Sequence, residues 1–200
     1  MDKDAVERGE LFSWQKEILR QYDYAMEYLK GKYPSYSFHI VDVAPKNKLN
    51  PYTTFEFTEE NSGDKYYELY LDIEEQYSAR DNFYGKIIGP KYEEQLMTLL
   101  QAANIPCDRV EARFNAVADE SFNEELDVNE IIKGNIVTNQ TVFLHINSQS
   151  LDGASYEEVY KQIHEYIDTQ KINGYFIVII YDGEIDPKKE VSRESFKAEF

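Results

Sequence analysis

The amino-acid sequence predicts an α+β fold, with helices packed on a mainly antiparallel sheet. In three long segments apolar side chains recur every three or four residues, which is typical of amphipathic helices. Between them, apolar and polar residues alternate, which is typical of half-buried strands. In the N-terminal half one helical segment precedes three alternating runs, so we expect a helix lying across a three-stranded antiparallel meander.

The first helix is predicted over residues 10–32, because Gly31 and Pro34 end its apolar series. Three strands are predicted over residues 36–40, 54–58 and 66–73. Residues 76–86 are polar and irregular, so we interpret them as a loop. Their position favours a boundary between two subdomains, residues 1–80 and 81–200, although one continuous domain is the alternative.

The second half alternates helices and strands. Pro90 is tolerated at the first position of a helix, so the next helix is expected to begin there. A strand over residues 110–116, a short helix from Asp127, a strand over 142–146 and a helix from Ser155 follow. The apolar run 175–181 predicts a strand covered on both faces. The charged residues from Asp182 onward are expected to form a partly mobile tail.

The charge balance excludes some partners. The chain has 21 Lys and Arg against 38 Asp and Glu, a formal net charge of −17. Nucleic-acid phosphates and anionic membrane surfaces would be repelled, because both attract clustered cations. Excess carboxylates suit a basic partner, cations or solubility. The 17 tyrosines suit half-buried sheet faces as well as binding surfaces, because each combines an apolar ring with a hydroxyl.

No catalytic residue, metal ligand or cofactor is predicted. Cys107 is the single cysteine, so an internal disulfide and a cysteine-based zinc site are excluded, and the thiol is expected to be buried and inert. The three histidines lack zinc-ligand spacing, and no serine-nucleophile motif occurs. The acidic series from Asp182 imitates a calcium loop weakly, since its sixth position is Pro187 and its twelfth is Arg193.

Membrane and leader segments are also not predicted within the chain. No run approaches the roughly 18 apolar residues of a membrane helix. The residues that follow Met1 are charged, so the chain as given carries no signal peptide.

The segment around residues 80–86 is the strongest candidate for a binding site. It combines a cation, an acid, an amide and aromatic rings between a predicted sheet and a predicted helix, where binding loops are common. The candidate binding residues are Arg80, Asp81, Asn82 and Tyr84. Alternatively, the segment is a turn whose aromatic rings pack under the following helix.

Three stretches of the sequence show a family resemblance. They are residues 25–33, residues 81–84 before Tyr92, and residues 155–159. Together they resemble uncharacterised secreted or lipid-anchored proteins of Gram-positive gut bacteria, which share a helix ending in YLKEKYG, a DNY turn and a helix beginning near YEE. Phe83 stands where tyrosine is usual, and Pro34 rather than glycine follows Tyr33. The resemblance implies a cell-surface location, with a signal peptide and lipidated cysteine upstream of Met1, and no transferable activity.

Three functional hypotheses follow. The first is a non-catalytic extracytoplasmic binding domain of a lipoprotein-like surface protein, for an unknown protein or small ligand, with membrane attachment through a removed lipid anchor. The second is an acidic, cytoplasmic inhibitor or immunity-type protein that binds a basic partner. The third is a hydrolase with an unrecognised carboxylate or Cys107 site, although nothing in the sequence places a base beside a nucleophile.

Overall fold

The computed structural model describes residues 11–61, 63, 65–74, 77–114, 116–136 and 138–200. Within them the chain forms four α-helices and two four-stranded, mostly antiparallel sheets, so the α+β prediction is confirmed. The predicted start of the first helix at Glu10 lies outside the described residues. Contacts divide the chain into two compact units. The first unit contains the chain up to Phe83 together with Val117–Glu124, and the second contains Tyr84–Ala116 and Glu125–Phe200.

The first unit is a helix followed by an antiparallel meander. Its elements are α1 (Ser13–Lys32), β1 (Phe38–Ala44), β2 (Thr53–Glu59), β3 (Tyr67–Asp72) and β4 (Ser78–Asp81), and the strands pair in chain order. The predicted helix and three-stranded meander are therefore confirmed, with β4 added. Every second residue of β2 is buried, because alternate side chains of a strand point to the same face.

An aromatic cluster forms the core of the first unit. The ring of Phe83 is fully buried at its centre. Four rings have centroids within 5.1 Å of the Phe83 ring, all near-perpendicular to it, and they belong to Tyr33, Tyr36, Phe38 and Tyr67. Edge-to-face packing of this kind adds to the free energy of burying the rings. It also fixes the end of β4, because Phe83 follows that strand by two residues.

The second unit packs three helices with a mixed sheet. Its elements are α2 (Tyr84–Ala102), β5 (Arg109–Phe114), α3 (Val128–Ile132), β6 (Gln140–Asn147), α4 (Tyr156–Gln170), β7 (Gly174–Tyr181) and β8 (Glu190–Ala198). Two short 3₁₀ turns, Ser148–Leu151 and Pro187–Lys189, precede α4 and β8. The strand order is β5-β6-β7-β8, and only the β6–β7 pair is parallel among the described strands.

Helices α3 and α4 of the second unit begin at capping residues. Ser155 and Glu158 form a capping box at the start of α4, where a helix is predicted, and Asp127 caps α3 by accepting from the amide of Asn129. Helix α2 packs on β5, and α4 packs on β8. The Tyr166 hydroxyl donates to the carbonyl of Leu99 at 3.1 Å, which joins α4 to α2.

Three sequence predictions are corrected by the structure. Of the segment predicted as a loop over 76–86, Gln76 lies outside the described residues, and the remainder contains β4 and the first turn of α2. Helix α2 begins at Tyr84 and holds Pro90 in its interior, where the proline supplies no N–H to the carbonyl of Lys86. The expected mobile tail forms the strand β8, which pairs antiparallel with β7 over its whole length.

Candidate functional site

Asp81, one of the predicted binding residues, lies at the end of β4 and is completely buried. Its Oδ1 accepts hydrogen bonds from the Tyr33 hydroxyl and the Phe83 amide, both at 2.8 Å. Its Oδ2 accepts from the Lys32 ammonium at 2.7 Å and lies 3.2 Å from the Tyr28 hydroxyl. Both carboxylate oxygens are therefore occupied by groups of the first unit itself.

Lys32 reaches Asp81 from the last turn of α1 and is equally withdrawn from solvent. Its three ammonium protons are matched by Asp81, the Tyr28 hydroxyl at 3.0 Å and the Ala118 carbonyl at 2.9 Å. The backbone of Ala118 also pairs with that of Asp81 in both directions, at 3.0 and 2.8 Å. The cluster therefore holds α1, β4 and the segment Val117–Glu124 together.

Burial dominates the electrostatics of this cluster. Desolvation lowers the pKa of Lys32, and the charge of Asp81 opposes that shift. Desolvation and then the Asp81 charge raise the pKa of Tyr28 far above its ordinary range. A tyrosine with a raised pKa keeps its proton and acts as a hydrogen-bond donor. The arrangement is that of a buried, hydrogen-bonded ion pair, and removal of one partner would leave an uncompensated buried charge.

The other three predicted residues also make contacts within the fold. The Arg80 guanidinium lies over the ring of Tyr52, 5.4 Å from its centre. Asn82 exchanges two hydrogen bonds with the backbone of Glu68, at 3.2 and 2.9 Å, and so continues the β3–β4 pairing. Tyr84 belongs to the second unit, where its buried ring packs 6.0 Å from that of Phe114. The binding role of these four residues stays a prediction.

His145, on β6, is the buried histidine of the second unit. Its Nδ1 lies 2.9 Å from the Tyr181 hydroxyl, and its Nε2 lies 3.4 Å from an Arg109 nitrogen and 3.8 Å from a Glu111 oxygen. Desolvation, with the charges of Arg109 and Arg113, lowers the pKa of His145, against the opposing charge of Glu111. A neutral imidazole bonded to a tyrosine is therefore the form that the fold favours.

Cys107 is held as a protonated thiol. Its Sγ lies 3.5 Å from the Arg109 carbonyl and 3.9 Å from the His145 carbonyl. Burial raises the pKa of the Cys107 thiol to about 12. Because the thiolate is the nucleophilic form of cysteine, this environment works against covalent catalysis.

A cavity of about 270 Å³ lies where β6 and β7 begin and β8 ends. We call it the strand-end cavity. Eleven residues line it: Thr138, Asn139, Gln140, Thr141, Asn173, Gly174, Tyr175, Lys197, Ala198, Glu199 and Phe200. It brings together three stretches that are far apart in the chain. The parallel pairing of β6 with β7 is what aligns Thr141 with Tyr175 at the mouth of this cavity.

Two buried amide side chains hold the wall of the strand-end cavity. Gln140 Nε2 donates to the Asn173 carbonyl at 2.7 Å, and Asn173 Oδ1 accepts from the Phe200 amide at 2.8 Å. Both side chains are nearly fully buried. Gly174 has a positive φ of 150°, and an added Cβ would lie 3.4 Å from Gln140 Nε2. The glycine at the start of β7 therefore leaves room for the Gln140 amide, which a side chain at this position would crowd.

Two buried polar atoms near this wall have no hydrogen-bond partner in the described structure. They are the Tyr92 hydroxyl and Asn173 Nδ2. The Tyr92 hydroxyl lies beside the Gln140 side chain without the geometry of a hydrogen bond, and burial raises the pKa of Tyr92 to about 12. An unsatisfied buried group of this kind costs about 1–3 kcal/mol.

Sequence reasoning did not find the strand-end cavity. Asn173 and Gly174 precede the apolar run 175–181, and residues 139–141 precede the predicted strand 142–146, so both stretches lie between predicted elements. The residues from 197 onward fell in the predicted tail. A small-molecule site in an open α/β sheet is expected at the carboxyl ends of parallel strands, whereas this cavity lies at their amino ends. No local signal therefore marked it.

Within the described part of the chain, no three His, Cys, Asp or Glu side chains are grouped so that they could hold a metal ion. Of the described helices, none is both long enough and apolar enough to span a membrane.

Comparison with known proteins returned little. No family model matches the chain, and no curated protein matches it. Among solved structures, a DUF5037 family protein from Ruminococcus gnavus is similar over 78% of this chain and 72% of that chain. The sequence identity is 14% and the TM-score is 0.34, so this likeness carries no argument about function or location. The resemblance to secreted or lipid-anchored proteins stays a prediction.

Proposed function

We propose that the chain is a non-catalytic, extracytoplasmic binding domain of a lipoprotein-like surface protein, and that it binds a small ligand in the strand-end cavity. The observation that carries the proposal is this cavity of about 270 Å³, with exposed aromatic side chains in its lining and a buried amide pair in its wall. Ligand sites are typically concave, partly apolar and largely preformed, with a few polar groups that orient the ligand.

A binding role also agrees with the state of the chain's reactive groups. The Cys107 thiol is protonated, because burial raises its pKa to about 12. Lys32 and Asp81 neutralise each other, and their hydrogen-bonding capacity is used within the first unit. The His145 ring is bonded to Tyr181. The Cys107 thiol, the Lys32–Asp81 pair and the His145 ring are thus engaged in holding the fold.

Binding in the cavity can be tested by two-dimensional amide NMR with a small-fragment library. We expect shift changes to concentrate at residues 138–141, 173–175 and 197–200. Tyr175→Ser should weaken binding of any fragment that produces them, because Tyr175 contributes an exposed ring to the lining. Tyr66→Ser is the matched control, since Tyr66 is also exposed but lies in the first unit. Fragments that shift only other regions would overturn this site.

The extracytoplasmic location rests on the sequence resemblance, and it is tested separately. We expect the protein in the membrane fraction of its source cells, with a lipidated N-terminal cysteine upstream of Met1 detectable by mass spectrometry. A mature protein that begins at Met1 and fractionates with the cytosol would overturn this part of the proposal while leaving the cavity test intact.

An inhibitor that binds a basic partner is the second candidate, because the net charge of −17 favours it. This function predicts binding to a basic protein that weakens steeply as salt is added. The two candidates separate experimentally. Tyr175→Ser weakens binding if the strand-end cavity is the site, and leaves it unchanged if an acidic surface elsewhere makes the contact.

A further inference from the structure

We infer that the ligand class of the strand-end cavity is an uncharged saccharide. This inference rests on the proposed function and deepens it. A sugar ring presents an apolar face of C–H groups and an edge of hydroxyls that both donate and accept hydrogen bonds. The cavity lining offers a complement to each of these features.

Exposed aromatic rings provide the apolar complement. Tyr175 is 41% exposed and Phe200 is 54% exposed, and both line the cavity. Large apolar side chains left in solvent at one concave site are typical of a binding surface. An aromatic ring has a negatively polarised face, which attracts the weakly positive C–H groups of a sugar.

The side chains of the lining carry no net charge. Lys197 and Glu199 are its two charged residues, and their side chains form an ion pair with each other. The ammonium supplies donors and the carboxylate supplies acceptors, while the exposed amide of Asn139 supplies both. A charged ligand would meet one favourable and one unfavourable charge side by side. A neutral ligand with many hydroxyls can accept hydrogen bonds from the ammonium and donate hydrogen bonds to the carboxylate.

The cavity is also preorganised and of suitable size. The Gln140 and Asn173 side chains fix the start of β7 and the backbone of Phe200 at 2.7 and 2.8 Å. A wall that is already ordered lowers the entropy lost on binding. The volume of about 270 Å³ lies just below the usual range for drug-sized ligands, about 300–1,000 Å³, which suits one or two sugar rings.

The test is a titration of the isotope-labelled protein with four uncharged disaccharides: maltose, cellobiose, lactose and N,N′-diacetylchitobiose. We expect at least one to shift the amide signals of residues 138–141, 173–175 and 197–200. Tyr175→Ala should weaken that binding about tenfold, which corresponds to about 1.4 kcal/mol. Lys197→Met should weaken it less, and Tyr66→Ala should leave it unchanged, because Tyr66 lies in the first unit.

Charged probes distinguish a wrong ligand class from a wrong binding site. Acetate, inorganic phosphate and lysine are titrated in parallel with the disaccharides and the fragment library. Shifts at the cavity from a charged probe or an uncharged aromatic fragment, with none from the disaccharides, would overturn the saccharide class but retain the binding site. No shift at the cavity from any probe would overturn both the inference and the proposed function. Unchanged amide spectra of the free variants verify that they fold.

Discussion

Lys32 Nζ lies 2.7 Å from Asp81 Oδ2, and neither side chain exposes more than 1% of its surface. The two residues are 49 positions apart and join the end of α1 to the end of β4. Taking two charges out of water is unfavourable, and their attraction offsets this only with good geometry and further hydrogen bonds. Here the Tyr28 and Tyr33 hydroxyls and the Ala118 carbonyl supply those bonds.

Breaking this ion pair from one side should destabilise the protein strongly. We expect Lys32→Met to lower the free energy of unfolding by about 3–5 kcal/mol, because Asp81 is left buried without its counter-charge. Asp81→Asn should lower the free energy of unfolding much less when it is made in the Lys32→Met variant than when it is made in the unmodified protein. Urea denaturation of the four proteins measures this coupling. Additive effects of the two substitutions would contradict the ion-pair account.

Tyr92 and Tyr33 offer a comparison of two fully buried hydroxyls. Among the residues that the structure describes, the Tyr92 hydroxyl has no hydrogen-bond partner, whereas the Tyr33 hydroxyl donates to Asp81 at 2.8 Å. We expect Tyr92→Phe to leave the free energy of unfolding unchanged or to raise it by about 1–3 kcal/mol, since it removes an unsatisfied group. Tyr33→Phe should lower it by about 1.5–3 kcal/mol, the range for a hydrogen bond to a charged group. Equal thermal shifts in the two variants would refute this distinction.

Gly85 and Gly31 are helical glycines in different surroundings. A Cβ at Gly85 would lie 2.9 Å from the Phe114 carbonyl oxygen, whereas a Cβ at Gly31 would meet nothing within 4 Å. We expect Gly85→Ala to destabilise by about 1–3 kcal/mol, because α2 must move away from β5. Gly31→Ala should stabilise by about 0.5–1 kcal/mol through helix propensity. Thermal unfolding that moved the same way for both would count against close helix–strand packing at Gly85.

His145 should make the second unit sensitive to mild acid. Desolvation lowers its pKa in the folded protein below the ordinary value of 6.5. As the pH falls below 6.5, the unfolded chain binds the proton first, so stability decreases until the folded-state pKa is reached. We expect His145→Asn to flatten this fall in unfolding free energy between pH 7 and 5.

The exposed His39 is the matched control for that measurement, because it lies on β1 with its side chain 69% exposed. We expect His39→Asn to keep the pH dependence of the unmodified protein. A slope that disappeared in the His39 variant and persisted in the His145 variant would show that the buried imidazole is not its cause.

Local sequence signals predicted several elements correctly. The apolar spacing predicted the existence of α1, although only Ala25 and Leu29 of that apolar series are buried and Trp14 is exposed. The helix predicted from Ser155 is α4, which begins with a Ser155–Glu158 capping box. Local sequence signals gave the wrong start for α2, because Gly85, Gly89 and Pro90 have the composition of a loop. The first turn of α2 exists because Tyr84, Ile87 and Ile88 are buried in the second unit. That burial depends on residues distant in the chain, which local propensity does not contain.

The last strand, β8, was not predicted from the sequence for a related reason. Its residues 190–198 are mostly charged or exposed, so no apolar alternation marks them. They form β8 because the neighbouring β7 offers a continuous row of backbone groups, with Phe176 paired to Phe196 and Val178 to Glu194. Backbone hydrogen bonding is independent of side-chain polarity, so a polar segment becomes a strand where its partner is already in place.

By itself the sequence determined the α+β class, the helix, meander and capping signals, and the acidic charge balance, because periodicity and composition are local properties of the chain. The tertiary structure alone decided that Asp81 is a buried partner of Lys32. It also decided that residues 138–141, 173–175 and 197–200 surround one cavity. Both arrangements join residues that are tens of positions apart in the chain and that the packing of helices and strands brings together. The residue pattern within one segment contains no information about these long-range contacts.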